Sequence, residues 1–290
     1  MKTTVARAMR VLGVGAALLS VASAGHAQDK AGPWTGARYV AMGSSFAAGS
    51  GFGPVKTNTP LRCGRSFDNY ATRTAETLRM LLVDVTCGGA TTANLLGPWN
   101  ELPPQLDSIT PDTALVTVTV GGNDIGYVGY LLAESCKERG PIPLGGPEAV
   151  CPQVQAPGDE AYFKLEQDLR AIASEVRRRA PQARLVFVQY LPLVPTFKCE
   201  EVPLSPEAAE IGRNIGIRLA QVTERVATET GSDVIGPLQV ARKRLPCGGE
   251  SAWVAGWPAD YKQGDTFPWH PTRAGHEELA SELVKLLESG

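Results

Sequence analysis

Predicted strands alternate with amphipathic helices along most of this chain, and that alternation limits the fold more than any other feature. The stretch at 114–120, ALVTVTV, is β-branched almost throughout, which is typical of a strand covered on both faces. The longest helix is predicted over 205–230, with Ser205 as N-cap and Pro206 at its first position. Such alternation predicts βαβ units and an α/β fold, a three-layer α/β/α sandwich around a parallel sheet.

Helical spacing of apolar residues predicts a further helix over 68–82, followed by a short strand over 83–87. Residues 134–159 are rich in proline and glycine and are predicted to form a long loop. Three Gly-rich breaks, at 43–49, 88–90 and 121–124, follow predicted strands. Because ligands bind at the carboxyl ends of parallel strands, we expect these breaks to share one functional edge.

The first 27 residues have the features of a secretory signal peptide. Three basic residues precede an apolar run over 11–22, and Gly25-His26-Ala27 offers a small-x-small cleavage site, with Ala22-Ser23-Ala24 as a second choice. The apolar run falls short of the ~20 residues that a membrane span needs. We therefore expect a leader over 1–27, a single domain over 28–290, and a secreted or periplasmic protein without stable membrane insertion.

The charge that remains after cleavage excludes one class of partner. Residues 28–290 hold 25 Lys and Arg against 30 Asp and Glu, so the net charge is about −5. No basic field is left to attract nucleic acid. We expect no nucleic-acid partner, and a monomer.

All six cysteines lie beyond the predicted leader, and an even count in an exported protein implies disulfides. Six cysteines allow 15 pairings. Sequential pairing is the simplest, because each bridge would tie one loop segment: Cys63–Cys87, Cys136–Cys151 and Cys199–Cys247. A zinc site is the rival interpretation, but no Cys-x-x-Cys occurs, and two histidines, His270 and His276, survive processing. We expect no metal and no cofactor.

The stretch Tyr39–Gly51, YVAMGSSFAAGSG, predicts a short buried strand that ends in glycine and two adjacent serines. A strand that ends in Gly-x-Ser with small neighbours can present a hydroxyl at the sheet edge, beside backbone N–H groups. This is where a nucleophile would be placed. A strand followed by a flexible Gly/Ser loop is the alternative interpretation.

A nucleophilic serine needs a base and donors for the oxyanion. His270 lies in the loop 267–271, FPWHP, from which its ring can project into a site. His276 falls in the first turns of the following helix, and we interpret it as structural. Gly89 and Asn123 are candidate oxyanion donors, because both follow predicted strands and can present an N–H to the substrate. Taken singly, each is equally consistent with ordinary turn chemistry.

Four blocks taken in order carry a resemblance to a known family. They are GSSFAAG (43–49), CGGATT (87–92), GGND (121–124) and HPTRAGH (270–276). The chain resembles the SGNH, or GDSL-type, hydrolase superfamily over 38–288, and its cysteine spacing is similar to that of secreted actinobacterial-type lipases and esterases with three sequential disulfides. The resemblance implies a flavodoxin-like parallel sheet and an esterase or lipase that acts on small-molecule or lipid esters.

The same resemblance assigns roles to individual residues. It implies that Ser45 is the nucleophile of an acyl-enzyme mechanism and that His270 is its base. The Ser45 and Gly89 main-chain N–H groups and the Asn123 side chain would form the oxyanion hole. Ser44 stands where family members commonly have Asp.

The group that orients the histidine is less well defined. The family often has Asp three residues before the histidine, and here that position is Phe267. We expect a Ser–His dyad in which the Phe267 backbone carbonyl orients the ring. Asp265 is the alternative, provided that the loop folds back.

One other architecture and two other functions compete with this interpretation. An α/β-hydrolase is disfavoured, since Gly43–Ala47 lacks the second glycine of Gly-x-Ser-x-Gly and lies at the mature N-terminus. A carbohydrate O-deacetylase of the same fold and a catalytically inactive exported binding protein stay open. An apolar cleft would favour the lipase, and a groove with polar and stacking side chains the deacetylase. The aromatic residues that could line an acyl pocket, with core packing as the alternative for each, are Phe46, Tyr127, Tyr130, Trp257 and Trp269.

Overall fold

A parallel five-stranded sheet forms the centre of the computed structural model. Its strands are β1 (Arg38–Gly43), β2 (Leu81–Asp84), β3 (Thr113–Thr119), β4 (Arg184–Val188) and β5 (Asp233–Ile235). They lie in the order β2-β1-β3-β4-β5, and every neighbouring pair is parallel. This is the flavodoxin-like order. The predicted α/β fold with a flavodoxin-like parallel sheet is confirmed.

The structure describes residues 32–57, 59–142, 150–236, 240–262 and 265–289, together with Met1 and Thr4. The predicted leader over 1–27 lies outside these residues apart from Met1 and Thr4, and it stays a prediction. None of the described helices combines the length and the apolar character that crossing a bilayer requires.

Helices cover the sheet on both faces. In the described residues they are α1 (Ser45–Ala48), α2 (Tyr70–Leu78), α3 (Thr92–Leu96), α4 (Tyr127–Arg139), α5 (Asp159–Arg179), α6 (Pro206–Thr230) and α7 (Arg273–Glu288). Helix α2 packs against α7, while α5 packs against α3 and α6. The strand β3 is buried along nearly its whole length, as its β-branched composition predicts.

Helix α6 begins and ends as its sequence predicts. The Ser205 side chain accepts a hydrogen bond from the Ala208 backbone N–H, and Pro206 occupies the first turn. Gly231 ends the helix in the left-handed conformation, with φ 62°.

Two sequence predictions about elements are wrong. Helix α2 ends at Leu78, and Leu81 begins the strand β2, which pairs with β1 from Arg38 onward. Arg79, with φ 56°, reverses the chain between them. The helical spacing of Leu81 with earlier residues was therefore coincidental. Helix α4 was missed, and its last six residues fall in the segment predicted as loop.

The three disulfides pair as predicted: Cys63–Cys87, Cys136–Cys151 and Cys199–Cys247. The first joins the segment after α1 to the segment after β2. The second joins α4 to the segment before α5, and the third joins the segments that follow β4 and β5. Two of the three bridges, the first and the third, therefore hold connections that leave the carboxyl edge of the sheet.

Candidate active site

Strand β1 ends at a glycine corner that delivers two serines to the carboxyl edge of the sheet. Gly43 has φ 137°, and a Cβ at this position would lie 2.3 Å from the Thr119 carbonyl oxygen, so the corner needs glycine. The Gln105 side chain holds the same residue, accepting from the Gly43 N–H at 2.7 Å and donating to its carbonyl at 3.1 Å. Beyond this corner, Ser44 is buried, whereas Ser45 is partly exposed and begins helix α1.

The structure brings Ser45 and His270 into direct contact. The His270 Nε2 lies 2.8 Å from the Ser45 Oγ, across 225 positions of sequence. On the other side of the ring, Nδ1 lies 2.9 Å from the Pro268 carbonyl oxygen. Because a carbonyl can only accept, Nδ1 carries the proton and Nε2 is left to accept from the serine hydroxyl. This is the arrangement that a general base for Ser45 requires.

A tight turn sets the position of the His270 ring. The His270 N–H donates to the Phe267 carbonyl at 3.1 Å, which closes a four-residue turn. Pro268 at its second position and a positive φ at its third, 62° for Trp269, are the marks of a type II turn. Glycine is the usual residue there, and tryptophan in this conformation stores strain of order 1–3 kcal/mol.

Burial and an antiparallel bridge hold this turn in place. The Trp269 side chain is fully buried, and its backbone N–H donates to the Ala255 carbonyl at 2.8 Å. The Ala255 N–H donates in turn to the His270 carbonyl at 2.9 Å, and Val254 pairs with Pro271. The segment 253–255 therefore fixes the backbone on which the histidine stands.

The group that orients the ring differs from the one predicted. The predicted orienters were the Phe267 carbonyl and Asp265, but the Phe267 carbonyl accepts from the His270 backbone, and Asp265 is exposed and accepts from the Lys262 N–H at 2.8 Å. The Pro268 carbonyl takes this place. The orienting carbonyl is thus one residue further along the backbone than predicted. The Phe267 carbonyl closes the turn, and the turn directs the Pro268 carbonyl at the ring.

The surroundings of His270 keep its ring neutral. Burial lowers the pKa of His270 to about 4, and the hydrogen bond to the Pro268 carbonyl opposes this shift. Between centroids, the Phe46 ring lies 4.7 Å from the imidazole and the Phe267 ring lies 4.9 Å from it, nearly perpendicular to its plane. A neutral imidazole is the form that can accept the serine proton.

The three predicted oxyanion donors lie on segments that follow β1, β2 and β3 at the same edge of the sheet. Ser45 is the first residue of α1, where backbone N–H groups have no partner inside the helix. Gly89 has φ 83°, and its N–H has no acceptor among the described residues. Asn123 donates one Nδ2 hydrogen to the Ala90 carbonyl at 2.9 Å, which leaves its second N–H for a ligand.

Asn123 and Asp124 together tie the Gly89 loop to the end of β3. The Asp124 carboxylate accepts from the Thr92 N–H at 3.0 Å, and so holds the start of α3. Burial raises the pKa of Asp124, while its bonds to Thr92 act in the opposite direction. The Cys63–Cys87 bridge lies immediately before this loop, where the Gly88 N–H donates to the Cys63 carbonyl at 2.9 Å. The loop is therefore held at both ends.

Tyr190 connects the serine corner to the loop that follows β3. Its hydroxyl lies 3.1 Å from the Ser44 Oγ and accepts from the Gly122 N–H at 3.1 Å. A Cβ at Gly122 would lie 2.6 Å from the Tyr190 ring, so glycine permits this approach. The ring also packs on Phe46, with centroids 4.1 Å apart.

His276 has no contact with Ser45 and takes a structural place. It is fully buried, and its Nδ1 accepts from the Tyr70 N–H at 3.1 Å, which satisfies a free donor at the start of α2. Burial is the main cause that lowers its pKa, to about 3. This matches the interpretation of His276 as a structural residue.

Sequence reasoning missed Pro268, Tyr190, Asp124 and Gln105. Tyr190 was detectable, since the sequence RLVFVQY predicts a strand over 184–190 that ends in this residue, at the same edge as the serine block. Gln105 was not, because its contact with Gly43 spans 62 positions and no local pattern marks it.

Metal ligands are sparse in the part of the chain that the structure describes. The one group of candidate ligands there is Cys199, Glu201 and Cys247. Both of its cysteines belong to a disulfide, so they offer no thiolate.

Comparison with known proteins gives the same family as the four sequence blocks. The chain matches the GDSL-like Lipase/Acylhydrolase family over residues 41–278. It is 31% identical over 258 residues to Lipase 2 of Streptomyces coelicolor, covering 86% of this chain and 85% of that one. An esterase of Streptomyces scabiei is 27% identical over 296 aligned positions, with the same coverages.

Among solved structures, phospholipase A1 from Streptomyces albidoflavus NA297 shares the fold, with a TM-score of 0.65 at 22% identity, over 88% of this chain and 99% of that one. The family match covers most of the chain, and it includes the serine corner and the histidine turn. The chain belongs to the GDSL-like lipase/acylhydrolase family and is a carboxylic-ester hydrolase.

Proposed function

We propose that this protein is a secreted esterase or lipase that cleaves carboxylic esters through an acyl-enzyme on Ser45, with His270 as its base. The observation that carries the proposal is the 2.8 Å contact between the His270 Nε2 and the Ser45 Oγ, with the opposite ring nitrogen held by the Pro268 carbonyl. Consecutive hydrogen bonds thereby connect a nucleophile, a base and the group that orients the base.

Acylation begins when the Ser45 Oγ attacks the ester carbonyl carbon and its proton passes to His270 Nε2. The carbonyl oxygen becomes an oxyanion, which the Ser45 N–H, the Gly89 N–H and the Asn123 amide can bind. The tetrahedral intermediate then collapses, the bond to the alcohol oxygen breaks, and His270 Nε2 returns its proton to the leaving alcohol. The acyl group is left as an ester on Ser45.

Deacylation repeats the same steps with water. His270 Nε2 takes a proton from a water molecule as its oxygen attacks the acyl carbon, and it later returns that proton to Ser45 Oγ. The carboxylic acid leaves and the serine hydroxyl is restored. Throughout the cycle the Pro268 carbonyl accepts from Nδ1–H and so stabilises the imidazolium that forms.

Export is supported by two independent features. The first 27 residues predict a signal peptide, and the three disulfides are of a kind that persists in oxidising compartments.

The proposal is tested by hydrolysis of p-nitrophenyl esters by the wild type and by Ser45→Ala. We expect the substitution to lower kcat by about 10⁴-fold or more, because the acyl-enzyme cannot form. Ser174→Ala, at an exposed serine on α5, is the matched control and should keep full activity. Turnover unchanged by Ser45→Ala would overturn the proposal.

Covalent labelling supplies a second, independent readout. A fluorophosphonate should add one label, which peptide mass spectrometry should place on Ser45. The label should be lost in Ser45→Ala and in His270→Ala, whose thermal unfolding should be recorded to show that they fold. A label on another residue would contradict the assigned nucleophile.

A further inference from the structure

We propose that the cavity behind Tyr190, about 470 Å³ in volume, holds the distal part of the substrate's acyl chain, which makes this protein selective for medium-length or longer acyl esters. This inference rests on the proposed function, because it names the substrate class of the same site. The volume falls within the range of ~300–1,000 Å³ that is typical of small-molecule sites.

The lining of the cavity is mainly apolar. The segment 190–196, which leaves the carboxyl end of β4, forms one wall, and α6 forms another with Gly216, Ile217 and Ala220. Ile217 is 54% exposed, an unusual placement for a large apolar side chain, and it lies at the rim. Such a lining suits a hydrocarbon chain better than a sugar.

The charge of the lining points the same way. Arg213 is the one cationic residue in the part of the lining that the structure describes, and its guanidinium Nη1 donates to the Pro195 carbonyl at 2.9 Å. That bond ties the segment 190–196 to α6 and so helps to keep the cavity open. No Asp or Glu is among the described residues of the lining, whereas several would be needed to receive the hydroxyl groups of a carbohydrate.

Tyr190 places this cavity next to the reacting serine. Its ring is a wall of the cavity, and its hydroxyl lies 3.1 Å from the Ser44 Oγ, one residue from the nucleophile. The same ring packs on Phe46, which in turn packs on His270. On this proposal an acetyl group on Ser45 ends before the Tyr190 ring, and a longer chain extends past it.

Tyr127 is the member of the predicted aromatic set that lines this cavity. A Cβ at Gly216 would lie 2.5 Å from the Tyr127 hydroxyl, so the glycine on α6 allows this ring to approach the helix. The other four aromatic residues are buried and are not among the described lining residues: Phe46, Tyr130, Trp257 and Trp269.

The first experiment measures kcat/KM for p-nitrophenyl acetate, butyrate, octanoate and decanoate. Burial of one methylene is worth ~0.8 kcal/mol, which is up to about fourfold in kcat/KM for each methylene that enters the cavity. We expect octanoate to exceed acetate by about tenfold or more. A maximum at acetate, the profile of a deacetylase, would overturn the inference.

The second experiment fills or alters the cavity. Ala220→Phe, which occupies the space from α6, and Ile217→Asn, which makes the rim polar, should each lower the decanoate-to-acetate ratio by about tenfold, with acetate turnover within about twofold of wild type. Gln221→Phe, at the adjacent exposed position of the same helix, should leave both unchanged. If Ala220→Phe and Ile217→Asn have the same decanoate-to-acetate ratio as Gln221→Phe, the inference is overturned. Ile217→Asn keeps the test valid if Ala220→Phe does not fold.

A third set of measurements separates the acyl side from the alcohol side and from catalysis. Alkyl acetates of increasing alcohol length should show no such dependence, and a chain-length preference on that side would reassign the cavity to the alcohol.

The fluorescent fatty acid cis-parinaric acid should bind to Ser45→Ala and bind about tenfold more weakly when Ala220→Phe is added. If Ser45→Ala leaves turnover intact, the proposed function fails; if only the chain-length effects are absent, the cavity assignment fails alone.

Discussion

The Tyr190 hydroxyl lies 3.1 Å from the Ser44 hydroxyl. Ser44 precedes the proposed nucleophile, Ser45, and stands where family members commonly have Asp. The same tyrosine oxygen accepts from the Gly122 N–H, so a pair of neutral hydroxyls bridges the two loops. Burial raises the pKa of Tyr190 to about 12, which keeps its proton in place at any working pH. The bridge therefore does not depend on ionisation.

Removing this bridge should slow the reaction without abolishing it. Tyr190→Phe leaves the Gly122 N–H unpaired, at a cost of ~1–3 kcal/mol, and frees the serine corner to shift. We expect kcat for p-nitrophenyl acetate to fall by about tenfold, with KM nearly unchanged. Ser44→Asp should retain activity, since a carboxylate can accept from the Tyr190 hydroxyl. Full kcat in Tyr190→Phe would show that the bridge has no part in positioning Ser45.

Asp265→Ala should keep activity within about twofold of wild type. Its carboxylate caps the local turn by accepting from the Lys262 N–H and does not reach the histidine. Steady-state kinetics should be measured for Asp265→Ala and for His270→Ala, whose kcat should fall by about 10⁴-fold. A loss of ~10³-fold in Asp265→Ala would instead identify this residue as the acid of a triad.

Asn123→Ala should lower kcat by ~10²–10³-fold, the usual effect of losing one oxyanion donor. Because Asn123 also donates to the Ala90 carbonyl, some loss of stability should accompany it, and a thermal melt separates the two effects. Asn214→Ala, at an exposed position on α6, is the matched control. An unchanged kcat would remove Asn123 from the oxyanion hole.

Activity should persist as the pH falls into the range in which the folded state loses stability. The base must be neutral, and burial lowers the pKa of His270 to about 4, so kcat/KM should hold as pH falls through 6.5 and be lost as pH falls through about 4. In the unfolded chain both histidines take up protons near pH 6.5, whereas His270 and His276 stay neutral in the folded one. Stability should therefore fall steadily below pH 6.5. Initial rates and thermal melts from pH 3.5 to 8 test both; an acid limb near 6.5 would contradict the first.

Short-range patterns carried the sequence prediction of the fold. The β-branched run at 114–120 and the capped helix at 205–230 appear in the structure as β3 and α6, because burial and capping are set by neighbours in the chain. The boundary between α2 and β2 was missed because Leu81 continues the helical spacing of α2 and is 63% exposed, so burial does not mark it as the start of a strand. Its pairing with Arg38, 43 positions away, decides the outcome.

The contact between Ser45 and His270 could be anticipated, since the order of the blocks named both residues. The Pro268 carbonyl could not, because every residue has a carbonyl and only the shape of the turn chooses one. That shape depends on the left-handed Trp269 and on its pairing with Ala255, which are tertiary effects.

The use of a main-chain carbonyl at Pro268 also changes how this site tolerates mutation. A single codon change can remove an acidic side chain that orients a histidine, whereas every amino acid supplies a main-chain carbonyl. In a saturation library, position 265 should therefore accept many residues. Intolerance should appear instead at Trp269, whose buried side chain and backbone shape hold the turn. Mutations that disturb the proposed base should therefore act through the packing of an aromatic side chain and not through the loss of a charged one.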